Sequence, residues 1–317
     1  MKPKIKYAII VLVALIVQSC NNEKVENDWT RSKLQGKVLS YSEFSYKAID
    51  RFGNIQKGKR EREFLGGSDK QIKYDKEGNQ IEEIVYNQDG SLAYNETYKY
   101  DEKGNLIEQN SYNSDGSIDG KHTYKYDEKG NRIEMNLYTS DGSLYSKDTF
   151  KFDQKGNRIE WNRFNWYDSD GSFIDFKYTY KYDEKGNLIE MNGYEDDGSI
   201  GGKHTNKYDE KGNLIEKNLY NSDGSLLFKN TYKYDEKGNL IEWISYTSDG
   251  SLYSKDTFKY DEKGNLIEKN LYNSDGILYT WYTYQYEYDE QGNWIKKIDF
   301  ENDVPGFILE RYYNYFN

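Results

Sequence analysis

The chain has 317 residues, 31% of them charged and 17% aromatic, with a net charge of -11 and a mean hydropathy of -1.07. Its lysines alternate with acids and form no basic stripe able to release counterions from phosphates, which excludes nucleic acid as a partner. The hydropathy suits a disordered chain, but 34 tyrosines at fixed offsets beside Leu and Ile, with only two prolines, point to an ordered, thin structure with little aliphatic core.

In chain order, Met1 to Lys6 is basic and Tyr7 to Val17 is an apolar stretch too short to span a bilayer comfortably. It ends in Val17-Gln18-Ser19-Cys20, and Cys20 is the only cysteine. This pattern resembles the lipobox of bacterial lipoproteins, with Gln18 in place of the usual small residue. The resemblance implies a signal peptide over 1–19, acylation of Cys20, and attachment to a membrane of the bacterial cell envelope, the outer membrane on its surface or periplasmic face. Several acyl chains anchor stably where one does not. Residues 20–33 are polar and aperiodic and read as a lipidated tether. A lipidated Cys20 leaves no thiol for a disulfide, a nucleophile or a metal ligand.

From residue 34 to 300 one unit of about 26 residues recurs some ten times. One turn series carries Gly53, Gly78, Gly104, Gly130, Gly156, Gly186, Gly212, Gly238, Gly264 and Gly292. A second carries Gly90, Gly116, Gly142, Gly171, Gly198, Gly224, Gly250 and Gly276, with degenerate members expected near Gly66-Gly67 and Pro305-Gly306. Both read as Asx-x-x-Gly: a short polar side chain bonds the backbone two residues on, and Gly supplies the left-handed position of a bulged hairpin. The fold class expected is all-β: an antiparallel hairpin array of about 20 strands, forming a curled or spiral sheet or a single-layer ribbon, with 301–317 as a capping strand. Pairing each Asx with the residue after its Gly predicts one face carrying Leu214, Glu216, Asn218, Tyr220, Leu226, Tyr232 and Tyr234. On that packed or concave face Glu and Asn would serve the Tyr hydroxyls. The other face, with Lys beside Ile, would be the wetter one.

Tyr100-Asp101, Gly104, Leu106, Asp115-Gly116 and Tyr124, with their equivalents in each unit, are similar to the YD repeats of RHS and teneurin-like proteins over roughly residues 48–300. That family builds β-hairpin spirals, some closing into shells around a cargo or acting in cell-surface contact. No toxin-like C-terminal domain is expected here. A MORN-like hairpin array is the nearest competing description.

Catalysis needs singular groups gathered in one place, and carboxylates that recur in every unit read as a structural ladder. His122 and His204 occupy one repeat position, three units apart, and read as surface residues. No catalytic residue, metal site or cofactor is expected; the Asp-rich turns at Asp168-Ser169-Asp170-Gly171 and Glu195-Asp196-Asp197-Gly198 lack a further ligand to complete a calcium cage. The repeat is broken between Gly156 and Gly186 by four extra residues inside an aromatic cluster. Trp161, Phe164, Trp166, Tyr167, Phe173 and Phe176 are the candidate ligand-binding residues, against the plainer reading of a packed bend. A second break holds Tyr279, Trp281, Tyr282, Tyr284 and Tyr286. Thr139 to Lys151 is repeated verbatim as Thr247 to Lys259. The function expected is that of a monomeric, non-enzymatic, lipid-anchored envelope protein presenting a β-surface to a protein or glycan. A structural spacer without a specific ligand is the alternative, and a glycan-active enzyme ranks below both.

Overall fold

The computed structural model describes residues 27–61, 69–167, 172–195 and 197–317, without the side chains of 166, 167 and 172–175. Cys20, the Gly66-Gly67 turn, Asp168 to Gly171 and Asp196 lie outside the described residues.

A four-residue helix, α1 (Asp28–Arg31), precedes the strands. Those of the first half are β1 (Val38–Arg51), β2 (Asn54–Arg60), β3 (Lys70–Tyr74), β4 (Gln80–Tyr86), β5 (Leu92–Tyr100), β6 (Leu106–Asn113), β7 (Ile118–Tyr126), β8 (Arg132–Thr139), β9 (Leu144–Phe152) and β10 (Arg158–Tyr167). The second half carries β11 (Ser172–Tyr182), β12 (Leu188–Tyr194), β13 (Ile200–Tyr208), β14 (Leu214–Asn221), β15 (Leu226–Tyr234), β16 (Leu240–Thr247), β17 (Leu252–Tyr260), β18 (Leu266–Tyr272), β19 (Leu278–Tyr288), β20 (Trp294–Glu301) and β21 (Val304–Tyr315). From β3 to β21 each strand pairs antiparallel with the next, and β1 pairs with both β3 and β21. The expected spiral or ribbon is therefore a closed barrel of 20 strands. Closure removes the unpaired edges that an open meander leaves to aggregate. β2 pairs only with β1, so the Gly53 turn belongs to a side hairpin and not to the barrel wall. The last turn is Asn302-Asp303, both at positive φ, and not Pro305-Gly306.

The two turn series share a shape and differ in chemistry. In the first, Asp101 Oδ1 accepts from the Lys103 and Asn105 amides at 2.9 and 2.8 Å, and Asn105 Nδ2 donates to Asp101 Oδ2. In the second, the third residue is usually the acceptor: Asp115 takes the Ser117 amide at 2.9 Å and its hydroxyl at 2.6 Å, while at Gly276 the first residue, Asn273, accepts from the Asp275 and Ile277 amides as expected. The Asx side chain expected to bond the backbone two residues on, Asn113, instead donates to Ser117 Oγ. Gly104 and Gly116 both sit near φ +84°, where a Cβ is strained.

Most hairpins also carry a second bulge beyond the turn, whereas β10 and β11 pair in unbroken register. Tyr208 pairs with Leu214 but Lys207 pairs with Glu216, leaving Ile215 extra; Tyr220 pairs with Leu226 but Leu219 with Phe228, leaving Leu227 extra. A one-residue slip exchanges the faces. Glu216 and Asn218 therefore share a face with Lys207, Lys229 and Thr231, while Tyr232 shares the other with Lys217, Leu219, Phe228 and Asn230. The expected face is therefore split: Tyr220 stays with Glu216 and Asn218, opposite Lys203, while Leu214, Tyr232 and Tyr234 lie on the other side. The tyrosine hydroxyls donate to backbone carbonyls at the start of the neighbouring strand, as Tyr234 does to Leu214 at 3.0 Å, Tyr208 to Leu188 and Tyr126 to Leu106 at 2.8 Å.

The face carrying Lys217, Tyr232 and Tyr234 is concave. Burial alone pushes the Lys217 ammonium pKa down, and it is the main cause raising the Tyr180 and Tyr232 phenols to about 12. Residues 27–33, expected as part of a tether, dock on that face at the first-turn end together with 34 and 35. Asp28 accepts from the Gln80 amide and the Tyr100 hydroxyl, Trp29 packs on Tyr74 and Phe316, and Gln35 exchanges two hydrogen bonds with Asn293. The clusters of buried apolar residues gather where the barrel closes: Val38, Tyr41, Ile72 and Tyr74 beneath Trp29, and Ala48, Ile298 and Ile308 beside Ile55 of the side hairpin. Arg311 bridges this closure, donating to the buried Glu43 at 2.7 Å with its guanidinium over Trp294 and Tyr41.

Candidate functional site: the inner wall of the barrel

The outer face repeats one arrangement. On β5, β7, β9, β11, β13, β15 and β17 a Thr and a Lys recur on the outside, and on β6, β8, β10, β12, β14 and β18 so do a Glu and an Asn. Glu108 bridges Lys99 and Lys121, and Glu134, Glu160, Glu190, Glu216 and Glu242 each bridge two lysines in the same way, at 2.6 to 3.5 Å. Asn110, Asn136, Asn162, Asn192, Asn218 and Asn270 each donate to the Glu two residues before. Hydrogen bonds from these lysines, led by Lys121 on Glu108, Lys151 on Glu160, Lys181 on Glu190 and Lys207 on Glu216, hold those four carboxyls at about 2. This ionic surface differs from the apolar band about 25 Å tall that a membrane-spanning barrel presents to lipid.

The inner face varies from unit to unit. Along the odd strands one inward position reads Glu96, His122, Asp148, Tyr178, His204, Asn230, Asp256 and Tyr282. Along the even strands the next reads Gln109, Met135, Trp161, Met191, Lys217, Trp243 and Lys269. Most of these side chains are half-buried. Twenty strands at about 4.8 Å give a perimeter near 100 Å, wider than the eight-stranded barrels that side chains can fill.

The best-built stretch of this wall runs over β9, β10 and β11. Asp148 is 0% exposed and accepts from the Trp161 indole at 2.9 Å and from Arg163 through both oxygens at 2.8 and 2.9 Å. Phe150, Trp161 and Tyr178 stack in succession at 6.2 and 5.1 Å between ring centres. Arg158 and Arg163 lie over these rings. Gly193 leaves open the place that the Tyr178 ring occupies, since a Cβ there would meet it at 3.1 Å. Elsewhere Glu96 takes hydrogen bonds from Tyr98, Gln109 and Ser111, and Asn230 from Trp243 and Ser245. The carboxylates Glu96 and Asp148 are thus engaged by their own neighbours.

Of the six aromatic candidates, Trp161 stands in this wall, and Phe176, 39% exposed, lies on the same face opposite Arg163. Phe164 pairs with Lys147 and points outward, so it does not join them. The side chains of Trp166, Tyr167 and Phe173 lie outside the described residues. In the second break Tyr282 faces inward toward Glu301, while Trp281 turns out and donates to Asp303. His122 and His204, expected on the outer surface, belong to the inner wall. Burial lowers the pKa of both, and His204 falls to about 4, with the nearby Lys217 charge adding to the effect. The inner wall had a sequence signal: the residues between the constant Lys, Thr, Glu and Asn are the ones that change from copy to copy. Assigning them to one face required the second bulge.

A family model described only as an uncharacterised protein matches residues 59–134 and 201–258. No curated protein matches. Among solved structures, the TcdB2-TccC3-Cdc42 complex is similar at 13% identity and a TM-score of 0.23 over 76% of this chain, which spans about a fifth of that one, 20%. A porin-like protein from Bacteroides uniformis is similar at 9% identity and a TM-score of 0.33, over 88% of this chain and 98% of that one. A protein with unknown function from Bacteroides fragilis is similar at 14% identity and a TM-score of 0.19, over 38% of this chain and 86% of that one.

Proposed function

We propose that this chain is a non-enzymatic, lipid-anchored protein of the bacterial cell envelope that binds a glycan along the inner wall of its barrel. One observation carries the reading: the outward Lys, Thr and Glu recur, while two adjacent inward positions change from unit to unit. A scaffold needs only the constant part. Singular aromatics beside fixed polar groups are how proteins stack on sugar rings, and Phe150, Trp161 and Tyr178 with Arg163 supply both. The engaged carboxylates favour binding over hydrolysis, which needs a free acid and base pair. The hairpin units support placing the chain with YD-repeat proteins. Acylation of Cys20 would put the docked 27–35 end of the barrel toward the membrane.

Glycan-array binding of the chain with Cys20→Ser tests this. Trp161→Ala with Arg163→Ala is expected to weaken the strongest signal at least tenfold. Binding that survives this change but is lost on substituting outer lysines would place the contact outside, as a protein-binding or spacer role requires. Incorporation of labelled palmitate into the wild type but not into Cys20→Ser is expected for the anchor.

A further inference from the structure

Seven equivalent cross-strand pairs line the inner wall one step toward the docked end. They are Tyr98–Gln109, Tyr124–Met135, Phe150–Trp161, Tyr180–Met191, Asn206–Lys217, Tyr232–Trp243 and Phe258–Lys269. In six of them an aromatic ring stands beside its partner: Trp161 stacks on Phe150, Trp243 on Tyr232, and Lys269 lies over Phe258 while pairing with Asp256. At Asn206 the ring is missing. The Asn206 amide nitrogen donates to the Leu188 carbonyl at 2.9 Å, but its Oδ1 is buried and has no hydrogen-bond partner. Lys217 has neither a ring to lie on nor, among the described residues, a carboxylate to pair with, whereas Lys269 in the same position has both. His204, neutral at physiological pH, is the nearby titratable group on β13. Two strands along, the buried Tyr180 hydroxyl is also unpartnered.

A buried acceptor without a donor and a half-buried ammonium without an anion each cost free energy, and one group that supplies both removes both costs. We propose that Asn206, Lys217 and His204 form a subsite for a hydroxylated six-membered ring carrying a carboxylate. The ring takes the place of the missing tyrosine, the carboxylate meets the Lys217 ammonium, and a hydroxyl donates to Asn206 Oδ1. Lys217 selects charge and Asn206 selects a donor, so the uncharged ring is rejected. This deepens the inner-wall reading and rests on it.

The repeat itself supplies the test substitutions. Asn206→Tyr restores the residue of the equivalent positions 124, 180 and 232, and Lys217→Met that of positions 135 and 191. Titration calorimetry with D-glucuronate and with 4-hydroxybenzoate, against D-glucose and phenol, reads the subsite directly. The expected result is millimolar or tighter binding of at least one acid and none of its uncharged counterpart. Each substitution should weaken that binding about tenfold or more with no fall in melting temperature. Whichever acid binds identifies the source as a sugar acid or an aromatic acid. The proposal is overturned if neither acid binds, if acid and neutral ring bind alike, or if both variants bind as the wild type does. Lys217→Met keeps the test open should Asn206→Tyr fail to fold. Loss of glycan binding at Trp161 with the notch intact, or the reverse, separates failure of this subsite from failure of the inner-wall reading.

Discussion

On β13 the outward residues Lys203, Thr205 and Lys207 match Lys121, Thr123 and Lys125 of β7 and Lys229, Thr231 and Lys233 of β15, while of the inward ones His204 matches His122 but not Asn230, and Asn206 matches neither Tyr124 nor Tyr232. Thr205 stands between Glu190 and Asn218 as Thr123 stands between Glu108 and Asn136, and Thr231 departs from this only in meeting Ile244. Asn206, one residue on, stands where β7 and β15 carry Tyr124 and Tyr232. The copies differ mainly on the concave side; outward exceptions are few, such as Ile244 in place of Asn on β16.

The sharpest way to break this comparison is at the closure, where the inner face holds a buried ion pair. Arg311→Met leaves Glu43 buried without a partner, and urea unfolding should register a loss of about 3–5 kcal/mol. Asp148→Ala strands the Trp161 indole and Arg163 and should cost about 2–3 kcal/mol in the same measurement. Acid titration separates the two faces further. A histidine held near 4 in the fold takes up its proton more readily when unfolded, so stability should fall as pH drops from about 6.5 toward 4, and His204→Tyr should flatten that part of the profile. The outer glutamates held at about 2 stabilise the fold above their unfolded value of about 4.3 and lose that contribution as pH falls further. The smallest effect belongs to a single outer substitution. Glu216→Gln should cost at most about 1 kcal/mol and less in high salt, because its lysine partners are well exposed.

Strand number, turn positions and the all-β class were legible because Asp, Gly and Tyr recur at fixed offsets and each offset has a conformational reason. Closure was not, because it depends on summed twist and on Tyr41 pairing with both Tyr313 and Ile72 across the chain. Glu216, Asn218 and Tyr220 share a face as expected, but Leu214, Tyr232 and Tyr234 do not join them, for one local reason: Ile215 and Leu227 each occupy a bulge that apolar alternation does not reveal. Trp161 was found as an aromatic in a broken unit. Asp148, Arg163 and the Asn206–Lys217 pair were missed, since they matter by contrast with their own repeat equivalents.

The enclosed inner wall exists only if β1 and β21 meet. Ser42 and Tyr312 are direct partners across that closure. In a chain with Cys20→Ser, replacing both by cysteine leaves two thiols to count. A closed barrel predicts near-complete disulfide formation on mild oxidation, without loss of strand signal. Two free thiols persisting in a folded, strand-rich protein would contradict closure and, with it, the inner wall as a binding surface.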